Sequence, residues 1–213
     1  MERVRFFRPG NTGMVVRQAE EDWLTERARR GDLDAFNTLV YRYQTPLYNL
    51  CLRMLGTRES AEDATQESFL LAYRGMNRFQ GGNSRAWFYR IAVNACYDEL
   101  RRRARRPARS LDAMMEDEER PFTPATPEAG PEEEVLQGEL RREIERGLLT
   151  LPEEQRLAVV LCDLHGFSYD EIAEVMRGSL GTVKSRVSRG RARLREQMRH
   201  SGEPLPRVKR LEE

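Results

Sequence analysis

The sequence predicts an all-α protein: two helical domains joined by an acidic flexible linker, the C-terminal one a helix-turn-helix. Three observations carry that reading. From Trp23 to Arg106 apolar residues recur at helical spacing, with Pro46 the one proline in the stretch. Pro107 to Glu134 then holds five of the ten prolines, and from Asp112 onward nine acids stand against one arginine. Such a composition cannot bury enough apolar surface to fold by itself. Helical spacing resumes near Val135 and ends in Ser168–Arg195, which reads as two short helices around a tight turn. The expected boundaries are a flexible tail at 1–19, a helical domain at 20–106, the linker at 107–134, a second helical domain at 135–198 and a flexible tail at 199–213.

In the first domain Gly31 breaks the chain. Ala35, Phe36, Leu39, Val40 and Tyr43 then form a helical stripe, which Leu47, Leu50, Cys51, Met54 and Leu55 continue until Gly56. Ser60 and Asp63 have the spacing of a capping box and predict the start of the next helix. On it Ala61, Ala64, Ser68 and Leu71 form a small or apolar stripe, extended by Phe69 and Tyr73. Glu62, Asp63, Gln66 and Glu67 cluster on the other side. The helix dipole accounts for the first two, but Glu67 lies beyond the first turn, which leaves a protein-docking face open. A polar Gly-rich loop, Phe79 to Arg85, leads into a helix with Trp87, Ile91 and Ala95 on one side. Arg90, Asn94, Tyr97 and Arg101 lie on another. Arginine and aromatic planes stack on unpaired bases, so this face suits opened DNA better than intact duplex. The aromatic run at Trp87 is otherwise read as core.

In the second domain Thr150-Leu-Pro-Glu153 is a start signal, and Leu157, Val160, Leu161 and Leu164 form a stripe beneath the terminal helices. Ser168 and Glu171 form a capping box, Arg177-Gly178 breaks the helix, and Ser179 caps the next one. There Val183, Val187, Gly190 and Leu194 face the core, while Thr182, Arg186, Arg189 and Arg193 share another face. From Arg177 to Arg195 seven basic residues stand without one acid. A solvated helix usually mixes signs, because like charges at i,i+4 repel, so this one calls for an external anion. The pattern fits a helix that enters the major groove.

The formal net charge of the 213 residues is only +1, which hides segregation: six arginines and no acid from Arg101 to Arg109, then the acidic block. The longest apolar run, Leu157 to Cys162, is too short to span a bilayer, and no apolar signal segment opens the chain. Three scattered cysteines argue for a reducing compartment, and a cytoplasmic location is expected. Cys162-x-x-His165 lacks a second pair, so a buried thiol explains it better than a metal site. With two histidines and no P-loop or H-E-x-x-H motif, no enzyme, cofactor or metal is expected.

Four segments resemble the extracytoplasmic-function (ECF) class of bacterial sigma factors: AEDATQESFLLAYR (61–74), FQGGNSRAWFYRIAVNACYDELRRR (79–103), LPEEQRLAVVLCDLHGFSYDEIAEVM (151–176) and GTVKSRVSRGRARL (181–194). The resemblance implies a protein that joins core RNA polymerase and directs it to promoters. It implies docking on polymerase through the helix of Asp63, Gln66 and Glu67. Asn83 and Ser84 would then lie near a flipped minus-ten base, and Arg90, Asn94 and Tyr97 along the opened strand. Thr182, Lys184, Ser185, Arg186 and Arg189 become candidates for the minus-thirty-five duplex. An anti-sigma factor is a possible partner, membrane insertion is not expected, and the free chain is expected to be monomeric. At Arg177 many relatives have glycine. About 28 flexible residues average roughly 30 Å but stretch to roughly 95 Å, whereas the promoter elements lie roughly 85 Å apart. The linker is therefore expected to be extended on polymerase, and its acids to fold over the basic helices in the free protein. The rival reading is a stand-alone helix-turn-helix regulator, which would bind duplex DNA unaided.

Overall fold

The computed structural model describes residues 11–105 and 131–200. The linker and C-terminal tail readings at 106–130 and 201–213 lie outside the described residues, as do residues 1–10. Described are eight α-helices: α1 (Asn11–Arg29), α2 (Leu33–Leu55), α3 (Arg58–Gly75), α4 (Ser84–Arg105), α5 (Pro131–Thr150), α6 (Glu153–Val159), α7 (Tyr169–Met176) and α8 (Leu180–His200). Two expected boundaries move. Residues 11–19 belong to α1 rather than to a tail, since Leu24 and Ala28 bury one end of that helix and Gln18 bonds Asp22 along it at 3.0 Å. Residues 131–134 open α5 rather than closing the linker, with Pro131 in the first position, where its missing N–H costs nothing.

In the N-terminal half, α2 and α3 pack together, and α1 and α4 pack against them. Asp32 caps α2 by accepting from the Ala35 amide at 3.0 Å, and Gly56, at φ 81°, ends it by donating to Leu52 at 2.8 Å. Leu39, Leu47, Leu50 and Met54 on α2 are fully buried against Ala61 and Ala72 of α3 and Ala92 of α4. Helix α3 begins two residues before the expected capping box. Thr57 stands at its N-cap but its side chain caps no amide of the helix, and the Ser60 hydroxyl accepts from Arg103. That arginine also donates to the Leu55 carbonyl (2.9 Å) and to Thr57 (3.2 Å), and pairs with Glu99. One member of the Arg101–Arg109 run thus ties α4 to the end of α2. Leu71, expected in the buried stripe, is 40% exposed, and Ala72 occupies the buried place.

In the C-terminal half, Leu148 of α5, Leu157 and Ala158 of α6, Ile172 of α7 and Val183 and Val187 of α8 form the core. After α6 the helix widens into a π-turn at Val160–Leu164, closed by the His165 amide on the Val160 carbonyl at 3.1 Å. The extra residue per turn rotates the stripe, so Leu164, expected to pack beneath the terminal helices, is 46% exposed. Arg177 itself, not Gly178, takes the left-handed conformation between α7 and α8, at φ 49°, ψ 45°. A side chain there costs about 1–2 kcal/mol relative to glycine. Arg177→Gly is therefore expected to raise the unfolding free energy by about 0.5–1 kcal/mol, since part of the gain returns as unfolded-chain entropy. Denaturant unfolding checks this, and a loss of stability would mean that the Arg177 side chain supports the turn.

Candidate nucleic-acid interfaces and docking face

The α7–α8 unit is capped at both starts. Ser168 and Glu171 make the reciprocal capping box, Ser168 N–H to Glu171 Oε2 at 2.9 Å and Glu171 N–H to Ser168 Oγ at 3.3 Å. Ser179 accepts from the Thr182 amide at 3.1 Å and meets its hydroxyl at 2.8 Å, which commits Thr182 to the start of α8. Val183 and Val187 face inward, and Gly190 lets α6 approach closely.

The seven cations of this unit divide into two groups. Arg186 is ion-paired to Glu154 of α6, its side chain only 19% exposed, and Arg191 pairs with Asp163 of the π-turn. These two acids lie upstream of the all-basic stretch, so nothing within that stretch signals them. Arg177, Lys184, Arg189, Arg193 and Arg195 are exposed, and among the described residues no acid pairs with them. Arg189 lies along its own helix, donating to Ser185 Oγ at 3.0 Å, and Arg193 donates to Gln155 at 3.2 Å. Both bonds are exposed and replaceable by a phosphate or base acceptor. The available cationic edge of α8 is therefore Lys184, Ser185, Arg189 and Arg193, with Thr182 at its head and Arg186 turned toward α6.

The second candidate surface is the Gly-rich loop with α4. Asn83 caps α4 by accepting from the Ala86 amide at 3.0 Å. Ser84 is fully buried, its hydroxyl donating to Glu21 of α1 at 2.6 Å, so in this arrangement it holds the loop and does not face solvent. Trp87 is half-buried against Phe79 and Phe88, ring centroids 5.1 Å away in each case, which fits a wall of the domain with one open side. Asn94 and Arg101 are exposed, Arg90 and Tyr97 half-buried, and Arg101 lies 3.2 Å from Asp98. Burial pushes the Tyr97 hydroxyl up to about 12, with Glu154 adding to the effect. A cavity of about 450 Å³ opens between this loop and α1, lined by Asp22, Thr25, Glu26, Phe79, Gly81 and Asn83. Its α1 wall escaped the sequence reading, because nothing in the spacing joins residues 22–26 to residues 79–83.

The third surface is on α3. Asp63, Gln66 and Glu67 are exposed on one edge, while Glu62 pairs with Arg58 one turn away at 2.9 Å. With Leu70, Leu71 and Arg102 they line a groove of about 790 Å³ between α3 and α4. Leu70 is 46% exposed there, a combination of acids and open leucines suited to a partner helix with basic and apolar residues. Leu71 escaped the sequence reading because it was placed in the apolar stripe, and Leu70 because the spacing assigned it to neither face.

The two halves touch. Arg85 of α4 donates to the His165 carbonyl and lies 4.0 Å over the Phe167 ring, which stands 4.6 Å from Tyr89. The Tyr89 hydroxyl and His165 Nδ1 are 2.9 Å apart, and Asn83 Nδ2 donates to Glu171 Oε1 at 3.1 Å. Burial foremost, then the charges of Arg53 and Arg85, push the His165 imidazole down to about 4. Burial would raise the Glu171 carboxyl, but its bonds from Ser168 and Asn83 outweigh that and lower it. Cys162, within the π-turn, is a partly buried thiol that burial pushes up. Among the described residues, no helix is long and apolar enough to cross a membrane.

Residues 39–106 match the family model for sigma-70 region 2, and residues 141–194 the model for sigma-70 region 4. The chain is 39% identical over 180 residues to the ECF RNA polymerase sigma-E factor of Haemophilus influenzae, covering 83% of this chain and 94% of that one. It is 36% identical over 182 residues to the RNA polymerase sigma-H factor of Pseudomonas aeruginosa, covering 83% and 93%. Among solved structures, RpoE of Bartonella quintana in complex with the anti-sigma factor NepR aligns with a TM-score of 0.60 at 26% identity, over 84% of this chain and all of that one. CnrH in complex with the cytosolic domain of CnrY shares the fold, with a TM-score of 0.64 at 24% identity, over 86% of this chain and 99% of that one.

Proposed function

We propose, from the premise that this chain belongs to the ECF class of RNA polymerase sigma factors, that its three surfaces divide one task among them. The groove edged by Asp63, Gln66 and Glu67 docks on core RNA polymerase. The loop at Asn83 and the α4 face of Trp87, Arg90, Asn94, Tyr97 and Arg101 hold the opened minus-ten strand. The α8 edge of Thr182, Lys184, Ser185, Arg189 and Arg193 reads the minus-thirty-five duplex. Residues 20–106 and 135–198 are then the two working domains, with α1 and α5 lengthening each at its N-terminal side. The protein positions a polymerase and performs no chemistry of its own.

The observation that carries the reading most directly is the order of two sigma regions along one chain, each ending in a cationic helix. A lone helix-turn-helix grips DNA weakly, and a polymerase anchor on the same chain supplies the avidity that dimerisation would otherwise give. A stand-alone regulator is not favoured, because it needs neither the acidic groove nor the α4 face. Single-round transcription with core polymerase tests the proposal. Arg189→Ala is expected to weaken minus-thirty-five binding by about 1–3 kcal/mol while leaving core binding intact. Asp63→Arg should do the reverse. Initiation that persists with Asp63→Arg at full strength would remove α3 from the docking face.

A further inference from the structure

The minus-ten loop and the helix-turn-helix domain occupy one another. Asn83 gives its carbonyl oxygen to the Ala86 amide and one amide hydrogen to the Glu171 carboxylate. Arg85, two residues on, is held by the His165 carbonyl and the Phe167 ring. Tyr89, one turn further, meets both His165 and Phe167. We infer that the His165–Glu171 corner is an intramolecular plug for the minus-ten loop, so that the closed chain cannot capture an unpaired base.

The inference rests on the reading of 79–103 as the strand-opening element. Two physical arguments support it. First, the Glu171 carboxylate sits within hydrogen-bond reach of Asn83, where it repels an incoming phosphate, and the Arg85 guanidinium is turned away from any phosphate. Second, α4 and α7 are in contact, whereas the surfaces they carry must serve promoter elements roughly 85 Å apart. Closed and promoter-bound states are therefore exclusive, and opening must accompany or precede capture. Glu171 has a double use: it completes the capping box of α7 and supplies the carboxylate of the plug.

His165 links the plug to pH. Facing it are Arg85 and Tyr89 from α4, Arg53 from α2 and Phe167 from its own loop. The closed state holds its imidazole well below the value of roughly 6.5 that an exposed histidine takes. Opening therefore takes up a proton as pH falls below that value. The plug is fully stable above it and loses stability toward the closed-state value. Between pH 7.5 and 5.5 the open fraction should rise about tenfold from this site alone.

The test uses the full chain with fluorophores on Glu59→Cys and Arg195→Cys in a Cys162→Ser background, Cys51 and Cys96 being buried. Binding of a single-stranded minus-ten oligonucleotide is measured on the same samples. Arg85→Ala should lower energy transfer and tighten oligonucleotide binding at least about fivefold, because apparent affinity scales with the open fraction. The gain would come despite the loss of a positive charge. Acidifying the unsubstituted chain to pH 5.5 should act in the same direction and requires no variant to fold. Transfer that falls with no gain in oligonucleotide affinity would overturn the plug. So would transfer that changes in neither arm, or that is already low in the unsubstituted chain. Transcription by the reconstituted holoenzyme, run in parallel, separates the two claims. Normal initiation with no plug effect sinks the plug alone, and no polymerase-dependent initiation sinks the reading beneath it.

Discussion

Gly190→Val should unfold the C-terminal domain or leave it at least about 3 kcal/mol less stable, the larger of two effects expected here. A β-carbon at Gly190 would lie 2.6 Å from Val159 Cγ2 and 3.1 Å from the Gln155 backbone oxygen. The first contact could relax by a rotamer change. The second is to α6 backbone, which the Leu157–Leu161 core holds in place. Even Gly190→Ala is therefore expected to lose about 1–3 kcal/mol. The sign is informative, because helix propensity alone predicts a gain of about 1 kcal/mol for the same change. Gly138, inside α5 with nothing within 4 Å of its would-be β-carbon, provides the control. Gly138→Ala should show that gain. Urea unfolding of the three variants decides the matter, and a stabilised Gly190→Ala would mean that α6 and α8 are further apart than described. Minus-thirty-five binding should fall along with stability, since α6 sets the tilt of the cationic edge.

Gly190 also shows what kind of information the sequence carried. Its place at i+7 from Val183 marked it as inward-facing, and local periodicity was enough to find it. The same holds for the Ser168–Glu171 box and for the breaks at Gly31 and Gly56, each decided within a turn or two of chain. Errors arose where a nearby alternative satisfied the same local rule. Ser60 and Thr57 both suit a helix start, and Arg103, arriving from α4, takes the Ser60 hydroxyl. Arg177 and Gly178 both stood at a plausible turn, and the hydrogen bond from Gly178 N–H to the Ala173 carbonyl at 3.0 Å accompanies left-handed Arg177. A π-turn has no sequence signature, so the phase of Leu164 could not be read.

The candidate sites divide in the same way. Helical spacing put Thr182, Arg186, Arg189 and Arg193 on one face, but charge counting could not tell Arg189 and Arg193 from the acid-paired Arg186 and Arg191. Their partners, Glu154 and Asp163, lie 32 and 28 residues away in sequence. The plug was wholly illegible. Asn83 and Glu171 are 88 residues apart, and nothing in either segment's pattern anticipates the other.

Arg156→Ala should cost about 3–5 kcal/mol, by the same logic that makes breaking a buried ionic cluster expensive. Arg156 is 7% exposed, and among the described residues no carboxylate is bonded to it. Its guanidinium donates to the carbonyls of Met54 (2.5 Å), Leu149 (2.7 Å) and Leu151 (3.1 Å). Two of these belong to the C-terminal ends of α2 and α5, where carbonyls lack amide partners and the helix dipole favours a cation. One side chain of α6 therefore serves a helix end in each half of the molecule. Burial lowers the Arg156 pKa, with Glu153 and Tyr97 opposing, yet a guanidinium stays charged at neutral pH, so the carbonyls must compensate for its desolvation. Truncation exposes the compensation: each buried carbonyl left without a donor costs about 1–3 kcal/mol, less whatever water recovers. Arg156→Met separates the causes, because it keeps most of the stem packing and should recover only about 1 kcal/mol of the loss. Arg156→Lys keeps the charge but cannot reach three acceptors from a rigid fork, and should fall between. Met54 lies across the boundary between the halves, so the alanine variant should also lower energy transfer between them, beyond what destabilising the C-terminal core by Gly190→Ala produces. A loss under about 1 kcal/mol in urea unfolding would mean that water already reaches these carbonyls.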